Sequence, residues 1–386
     1  MSSSQSNEGQ NGGEESGRNC LSRCCLLQGS GLSLYCFSKV EKGSGSSDNN
    51  EPQLNFLEKL FKEWDYCKVR GLFHHDISAC ETKILPGRYG FITQLIEGRD
   101  LKKRPTEFRI DKVLQPFDGN KFNFTKIGQE EVLFRFEASE NDKTDFFYNA
   151  PVTASESPNV IAINVSPIGY GHVLLIPRVL DCLPQRLDEK SFLLAIYMAR
   201  EAKTPYFRVG YNSLGAFATI NHLHFQAFYL METFPVEKTP TQSIATLTSG
   251  VKVFQLTDYP VRGLVFEGGN KIEDLSVTAS TACIFMQDND IPYNVLISDY
   301  GKRIFLLLQC FAEKRAHGEI RQEILETQMN PAAWELSGYI VMKRRKDYQE
   351  ASEDTIWRFL DETSVSAERF KEIKECILGS LSTKIA

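Results

Sequence analysis

No stretch of this sequence stays apolar for the roughly 20 residues that a membrane-spanning helix needs. The opening residues are polar and acidic, without the basic-then-apolar order of a secretion signal. A soluble, cytoplasmic protein is expected, with no membrane partner. Positive charge is also short: 44 Lys and Arg stand against 50 Asp and Glu, a net charge of −6. No overall basic field is available to hold a polyanion, so nucleic acid is not an expected partner. The ten cysteines nowhere show the Cys-x-x-Cys spacing of a zinc site, which points to free thiols and to no metal or other cofactor. The basic run Lys343-Arg-Arg-Lys346 fits either a nuclear address or a solvated surface turn.

What the sequence does contain is a long body of ordinary globular composition. Residues 1–19 and 42–51 are Ser, Gly, Asn, Gln and Glu with few apolar side chains. Burial cannot offset the ordering entropy of such segments, so residues 1–52 are expected to be a disordered tail whose removal is tolerated. Leu54, Leu57, Leu60, Phe61 and Trp64 then recur at helical spacing and open a core expected over 53–350. From 71 to 150 short apolar runs alternate with turn residues, the pattern of an antiparallel sheet, whereas 187–202 has helical periodicity. Ser352 and Ser366 stand where helix N-caps belong, so 351–386 should form helices that pack back on the core. The class expected is α+β, an antiparallel sheet with flanking helices. Tyr293 to Leu308 faintly echoes Val160 to Ile176, which allows a degenerate second copy of one unit.

The chemistry concentrates in Asn221-His-Leu-His-Phe-Gln-Ala-Phe-Tyr-Leu230. Successive side chains of an extended strand point to opposite faces, so His222, His224 and Gln226 share one face and Leu223, Phe225 and Ala227 the other. Two of the chain's six histidines thus stand about 6–7 Å apart, at a rise of ~3.3 Å per residue. Upstream, Tyr211-Asn-Ser-Leu-Gly-Ala-Phe-Ala-Thr219 offers amides and hydroxyls that can approach a phosphate. Earlier still, Asn164 and Pro167 lead through Gly169-Tyr-Gly171 into His172-Val-Leu-Leu-Ile-Pro177-Arg178. Taken singly, each of these is as readily a strand end, a loop or a solvated side chain.

In combination they resemble the histidine-triad superfamily, specifically its nucleotidyltransferase branch with Gln in the third triad place. The residues that carry the resemblance are Asn164, Pro167, Gly171 to Pro177, Asn212, Thr219 and His222-x-His224-x-Gln226. It extends over about residues 54 to 375, including Arg70 to Phe73, Tyr89 to Phe91, Leu101 to Phe108 and Phe117 to Lys126. The resemblance implies a histidine-triad-like sheet and guanylyl transfer from a GDP-hexose, GDP-L-galactose or GDP-D-glucose, to inorganic phosphate. It implies that His224 is the nucleophile that carries GMP, with His222 and Gln226 supporting the phosphoryl group. Asn164, Arg178, Asn212, Ser213, Gly215 and Thr219 would line the phosphate path. No metal is implied, because the cysteines that bind structural zinc in some relatives of that branch have no counterpart.

Two displacements at a neutral imidazole suit this reaction, since phosphate is a poor nucleophile toward an anionic diphosphate. A plain GDP-sugar hydrolase and a non-catalytic nucleotide-binding module are the alternatives. The first would turn over without phosphate, and the second would not turn over at all.

Overall fold

The structure is a computed structural model that describes residues 20–26, 31–40, 54–99, 107, 109, 112–153 and 156–384. Its strands are β1 (Leu32–Phe37), β2 (Glu81–Ile84), β3 (Ile92–Leu95), β4 (Val132–Ala138), β5 (Asp145–Ala150), β6 (Val160–Ile163), β7 (Tyr170–Ile176) and β8 (Phe207–Asn212). They continue as β9 (Phe225–Tyr229), β10 (Thr241–Thr246), β11 (Val251–Leu256), β12 (Gly263–Gly268), β13 (Tyr293–Ser298), β14 (Arg303–Leu308) and β15 (Tyr339–Met342). Among the described residues twelve strands form one sheet in the order β10-β11-β12-β14-β13-β8-β9-β7-β6-β4-β1-β5, and β15-β3-β2 form a second. The large sheet is antiparallel except where β1 runs parallel to β4. The expected α+β class with flanking helices is what the chain adopts.

One unit occurs twice in the large sheet. Strands β6, β7, a helix at Glu189–Glu201, β8 and β9 lie in the spatial order β6-β7-β9-β8. Strands β11, β12, a helix at Ile272–Asp288, β13 and β14 lie in the equivalent order β11-β12-β14-β13. The copies meet where β8 pairs antiparallel with β13, Val295 opposite Tyr211. The sequence allowed such a second copy, but the echo that suggested it ran β13-β14 against β6-β7, whereas they stand in the places of β8 and β9. Buried hairpin strands read alike in sequence, and pairing alone assigns them. β14, Arg-Ile-Phe-Leu-Leu-Leu, bears no histidine, so the second copy cannot repeat the chemistry of the first.

Four helices cover one face of the sheet. Phe56 and Leu60 from Phe56–Val69, Phe192 and Ile196 from Glu189–Glu201, Leu275 and Ala279 from Ile272–Asp288, and Phe370, Ile373, Ile377 and Leu381 from Ala367–Lys384 share one cluster with Leu223, Phe225 and Ala227. Local chemistry starts three of these helices: Asn55 accepts from the Leu57 amide at 3.0 Å, Asp188 from Ser191 at 2.9 Å and Ser366 from Arg369 at 3.2 Å. Such caps satisfy amides that a first helical turn leaves free. The opposite face carries two smaller clusters, one with the three-stranded sheet and Trp334, the other around Phe124, Leu174 and Ile220.

The structure departs from the expectation for residues 1–52 in two stretches: residues 20–26, whose Leu21 and Leu26 are buried in the cluster around Phe124, and β1. β1 lies inside the sheet between β4 and β5, with Tyr35 and Phe37 each 1% exposed. The Phe37 ring stacks on Phe136 at 4.5 Å, and the Tyr35 hydroxyl donates to Glu201 at 3.2 Å. Leu32-Ser-Leu-Tyr-Cys-Phe37 is a short apolar run, but between Gly- and Ser-rich tracts it is too short to outweigh its neighbours' composition. The rest of the expected tail lies outside the described residues, apart from the residues flanking β1. Removing residues 1–50 therefore removes a core strand. Phe37→Ala should cost about 3–5 kcal/mol of stability, as truncation of a buried aromatic does; a melting temperature within a degree or two of the parent would show that β1 is dispensable.

Candidate active site

β9 begins at Phe225, so His222 and His224 lie in its extended approach rather than within the strand. The alternation still holds there. Leu223, Phe225 and Ala227 are each fully buried in the helix-side core, which turns His222, His224 and Gln226 to the other face. That approach is held by a side chain from another segment: Gln185 accepts from the His224 amide at 2.9 Å and donates to the His224 and Asn212 carbonyls at 3.2 and 2.9 Å. The histidine backbone is thereby fixed without any use of its ring.

The ring of His224 has a defined tautomer. Its Nδ1 lies 2.8 Å from the His222 carbonyl, an acceptor only, so Nδ1 carries the hydrogen and donates. Nε2 keeps its lone pair, and His224 lines an open cleft. Burial pushes the His224 pKa down to about 4, with the hydrogen bond to His222 opposing that shift. The imidazole is neutral at pH 7 by a wide margin.

His222 has the opposite tautomer. Its Nδ1 accepts from the Phe124 amide at 3.1 Å, and the ring lies among Phe117 and Phe124. Its Nε2 is buried with no partner among the described residues. Burial, and secondarily the neighbouring His224, lower its pKa to about 3.

Gln226 is oriented by two donors. His172 Nδ1 accepts from the Ile168 amide at 3.0 Å, so its Nε2 bears the hydrogen, which points at Gln226 Oε1 3.3 Å away. Trp334 Nε1 donates to the same oxygen at 3.5 Å. With Oε1 claimed twice, the amide NH₂ of Gln226 is the end left for the cleft that this residue lines. His172 reaches this place through an irregularity in the β7-β9 pairing between Tyr170 and Val173. Gly171 makes the turn there at φ 64, where a Cβ would lie 2.6 Å from the Phe61 ring. Only glycine satisfies both conditions.

The remaining residues singled out in the sequence divide. Asn164, Asn212 and Thr219 line the cleft beside His224 and Gln226. Asn212 Oδ1 accepts from Asn294 at 2.7 Å and from the Ala333 amide at 2.9 Å, so its NH₂ is the group left over. Ser213, Gly215 and Arg178 are not part of the cleft wall. Ser213 accepts from the Tyr293 amide at 3.1 Å, and Gly215 packs within 3.2 Å of Pro292 and Val113 at its Cβ position. The short turn at Leu214–Ala216 folds both inward, against β13. Arg178 follows β7 and is paired with Asp188 at 2.6 Å and Ser191 at 3.2 Å. A phosphate would compete with a carboxylate already bound there.

Sequence reasoning missed Gln185, Trp334 and Arg99, which reach the site from segments 39 or more positions away from His224. Trp334 and Glu335 line the cleft from the C-terminal half. No spacing signal near the histidines announces them.

This constellation, on a doubled sheet of this order, defines a histidine-triad-like fold of the nucleotidyltransferase type. The chain resembles yeast Ap4A phosphorylase Apa2, solved in complex with AMP, with a TM-score of 0.54 and 16% identity over 82% of this chain and 99% of that one. The GDPGP1-like N-terminal domain matches residues 55–228 and the GDPGP1-like C-terminal domain residues 235–384; the chain belongs to the GDPGP1-like family. It is 60% identical to GDP-L-galactose phosphorylase 2 of Arabidopsis thaliana over 95% of this chain and 85% of that protein. Identity to human GDP-D-glucose phosphorylase 1 is 30%, over 86% and 85% of the two chains.

Because His224 is already neutral, acidification should not disarm it until the pH falls toward 4. The initial rate of sugar 1-phosphate release, measured with GDP-L-galactose and no phosphate, should change less than about twofold between pH 7.5 and 5.5. An acid limb centred near 6.5 would show that the imidazole titrates as an exposed one.

Proposed function

We propose that this chain is a GDP-L-galactose phosphorylase that converts GDP-L-galactose and inorganic phosphate to L-galactose 1-phosphate and GDP, a step of L-ascorbate biosynthesis. The observation that carries the mechanism is the bond from His224 Nδ1 to the His222 carbonyl at 2.8 Å. It leaves Nε2 as a neutral nucleophile on a cleft. The substrate preference rests on the 60% identity to the Arabidopsis enzyme, twice that to the human GDP-D-glucose enzyme.

In the first step His224 Nε2 attacks the α-phosphorus of GDP-L-galactose. The P–N bond forms, the bond to the bridging oxygen breaks, and L-galactose 1-phosphate leaves with that electron pair. GMP remains on an imidazole whose Nδ1–H stays bonded to the His222 carbonyl, which stabilises the positive charge the ring gains. Gln226 donates its NH₂ to a non-bridging oxygen as charge builds there, with Asn212, Asn164 and Thr219 along the phosphate path. His222 supports this face by holding the Phe124 loop. In the second step phosphate displaces the imidazole and leaves as the β-phosphate of GDP.

No helix among the described residues is long and apolar enough to cross a membrane. We propose a cytoplasmic location, with the basic run at 343–346 part of the solvated surface rather than a nuclear address. Of the basic run that would serve as the nuclear address, Arg344 is bound to Asp347 and Arg345 to Glu81 and Glu97.

The test is GDP formation from GDP-L-galactose and from GDP-D-glucose, with and without phosphate. The proposal requires phosphate-dependent GDP and a higher kcat/KM for GDP-L-galactose. Phosphate-independent release of GMP as the main course would make the chain a hydrolase, and a preference for GDP-D-glucose would change the substrate.

A further inference from the structure

A buried guanidinium must be paired to be tolerated. Three arginines are buried among the described residues: Arg99, Arg135 and Arg208, at 9%, 5% and 2% exposure. Arg208 is bound to Glu237 at 2.8 Å, and Arg135 lies 3.5 Å from Glu156. Arg99 makes no ion pair with a described residue. It donates from one terminal nitrogen to the Ser166 carbonyl at 3.1 Å, and its Nε is buried without any partner among the described residues. Among the described residues the acidic side chain that shares its cleft wall is Glu335, which makes no ion pair with it, so the guanidinium keeps donors for an anion from outside.

The location of Arg99 says which anion. It lines the same cleft as His224 and Gln226 and is the only Lys or Arg among the described residues that do. It is also tied to the catalytic side chains through one short segment. Ser166, whose carbonyl holds Arg99, donates its amide to Asn164 at 3.0 Å, and Asn164 lies 3.3 Å from the His172 nitrogen that faces Gln226. Burial lowers the Arg99 pKa to about 10, with the field of Glu335 opposing, so it is charged at neutral pH. A planar guanidinium with free donors matches two oxygens of a phosphate dianion.

We propose that Arg99 is the phosphate-binding residue of the acceptor subsite, which holds first the β-phosphate of the GDP-sugar and then the inorganic phosphate that replaces it. This rests on the phosphorylase reading above. An in-line displacement needs the incoming oxygen opposite Nε2, the place the sugar phosphate has vacated. The phosphate oxygen then forms its bond to the GMP phosphorus, the P–Nε2 bond breaks and its electron pair returns to the ring. The proton of hydrogen phosphate stays on the new β-phosphate. Water, uncharged, gains nothing from the cation, so Arg99 directs the adduct toward phosphorolysis.

The experiment uses the full chain loaded with GMP from GDP-L-galactose without phosphate, freed of nucleotide, and chased with inorganic phosphate or with buffer alone. Arg99→Met, loaded by long incubation, should lose phosphate reactivity by at least about 30-fold more than it loses reactivity to water, as removal of a charge-assisted bidentate contact demands. Arg99→Lys should raise the phosphate concentration needed for half-maximal chase by about tenfold or more while keeping much of the limiting rate, and it serves alone if the Met variant does not fold. Equal losses in both chases, or unchanged dependence on phosphate in Arg99→Lys, would overturn the subsite. A parent enzyme that forms no adduct would instead overturn the phosphorylase reading, and the subsite with it.

Discussion

Replacing His224 by Asn is expected to lower turnover by roughly ten-thousand-fold or more and to abolish any GMP adduct, since the first covalent bond then has no nitrogen lone pair to form it. Folding should survive. The contacts that fix this residue's backbone are made by Gln185 to the amide and carbonyl of residue 224, and an Asn side chain leaves them untouched. The Asn amide can also still donate toward the His222 carbonyl. A melting temperature within a few degrees of the parent, together with the lost turnover, assigns the effect to chemistry. A folded variant with a tenth of the parental turnover would remove His224 from the mechanism. His222→Asn is the instructive contrast: an Asn oxygen can still accept from the Phe124 amide, but the ring packed against Phe117 and Phe124 is lost, which should weaken the reaction through the loop while a GMP adduct can still form.

Gln226→Glu should reduce turnover by about 100-fold or more, the scale of losing one donor from an oxyanion site. The change is nearly isosteric. A carboxylate oxygen can still accept from His172 and Trp334, as Oε1 does now, so the architecture behind the residue is kept. What changes is the end facing the cleft, where a donor becomes a negative charge beside the phosphoryl oxygens. The loss should therefore appear in kcat for sugar 1-phosphate release with little change in thermal stability. A folded Glu variant with near-parental kcat would show that the amide does not touch the transferring group.

The candidate site was readable in the sequence where one short segment holds it, and unreadable where the fold assembles it. His222, His224 and Gln226 show themselves by alternation because Leu223, Phe225 and Ala227 fill the opposite face, and a core is visible as pattern. Arg178 and Ser213 have the right chemistry in the right stretch, yet each is bound by a neighbour that only folding brings near, Asp188 for one and the Tyr293 amide for the other. Gln185, Arg99 and Trp334 are isolated polar or aromatic residues on distant segments, where pattern carries no information. The fold divides in the same way. The α+β class and the capped helices follow from local signals, whereas the matching of β13-β14 with β8-β9, and the place of β1 between β4 and β5, depend on pairings between remote strands.

The most direct test of the account is to supply GDP-L-galactose labelled in the guanylyl group, withhold phosphate, and map the label in the trapped protein. The account predicts one equivalent or less of GMP on the peptide that contains His224. The bond should be stable to alkali and lost in acid, because protonation makes the imidazole a good leaving group from a phosphoramidate. Addition of phosphate should convert it to GDP. GMP on His222, an acid-stable ester on Ser213 or Thr219, or a protein that turns over without ever carrying label would contradict it.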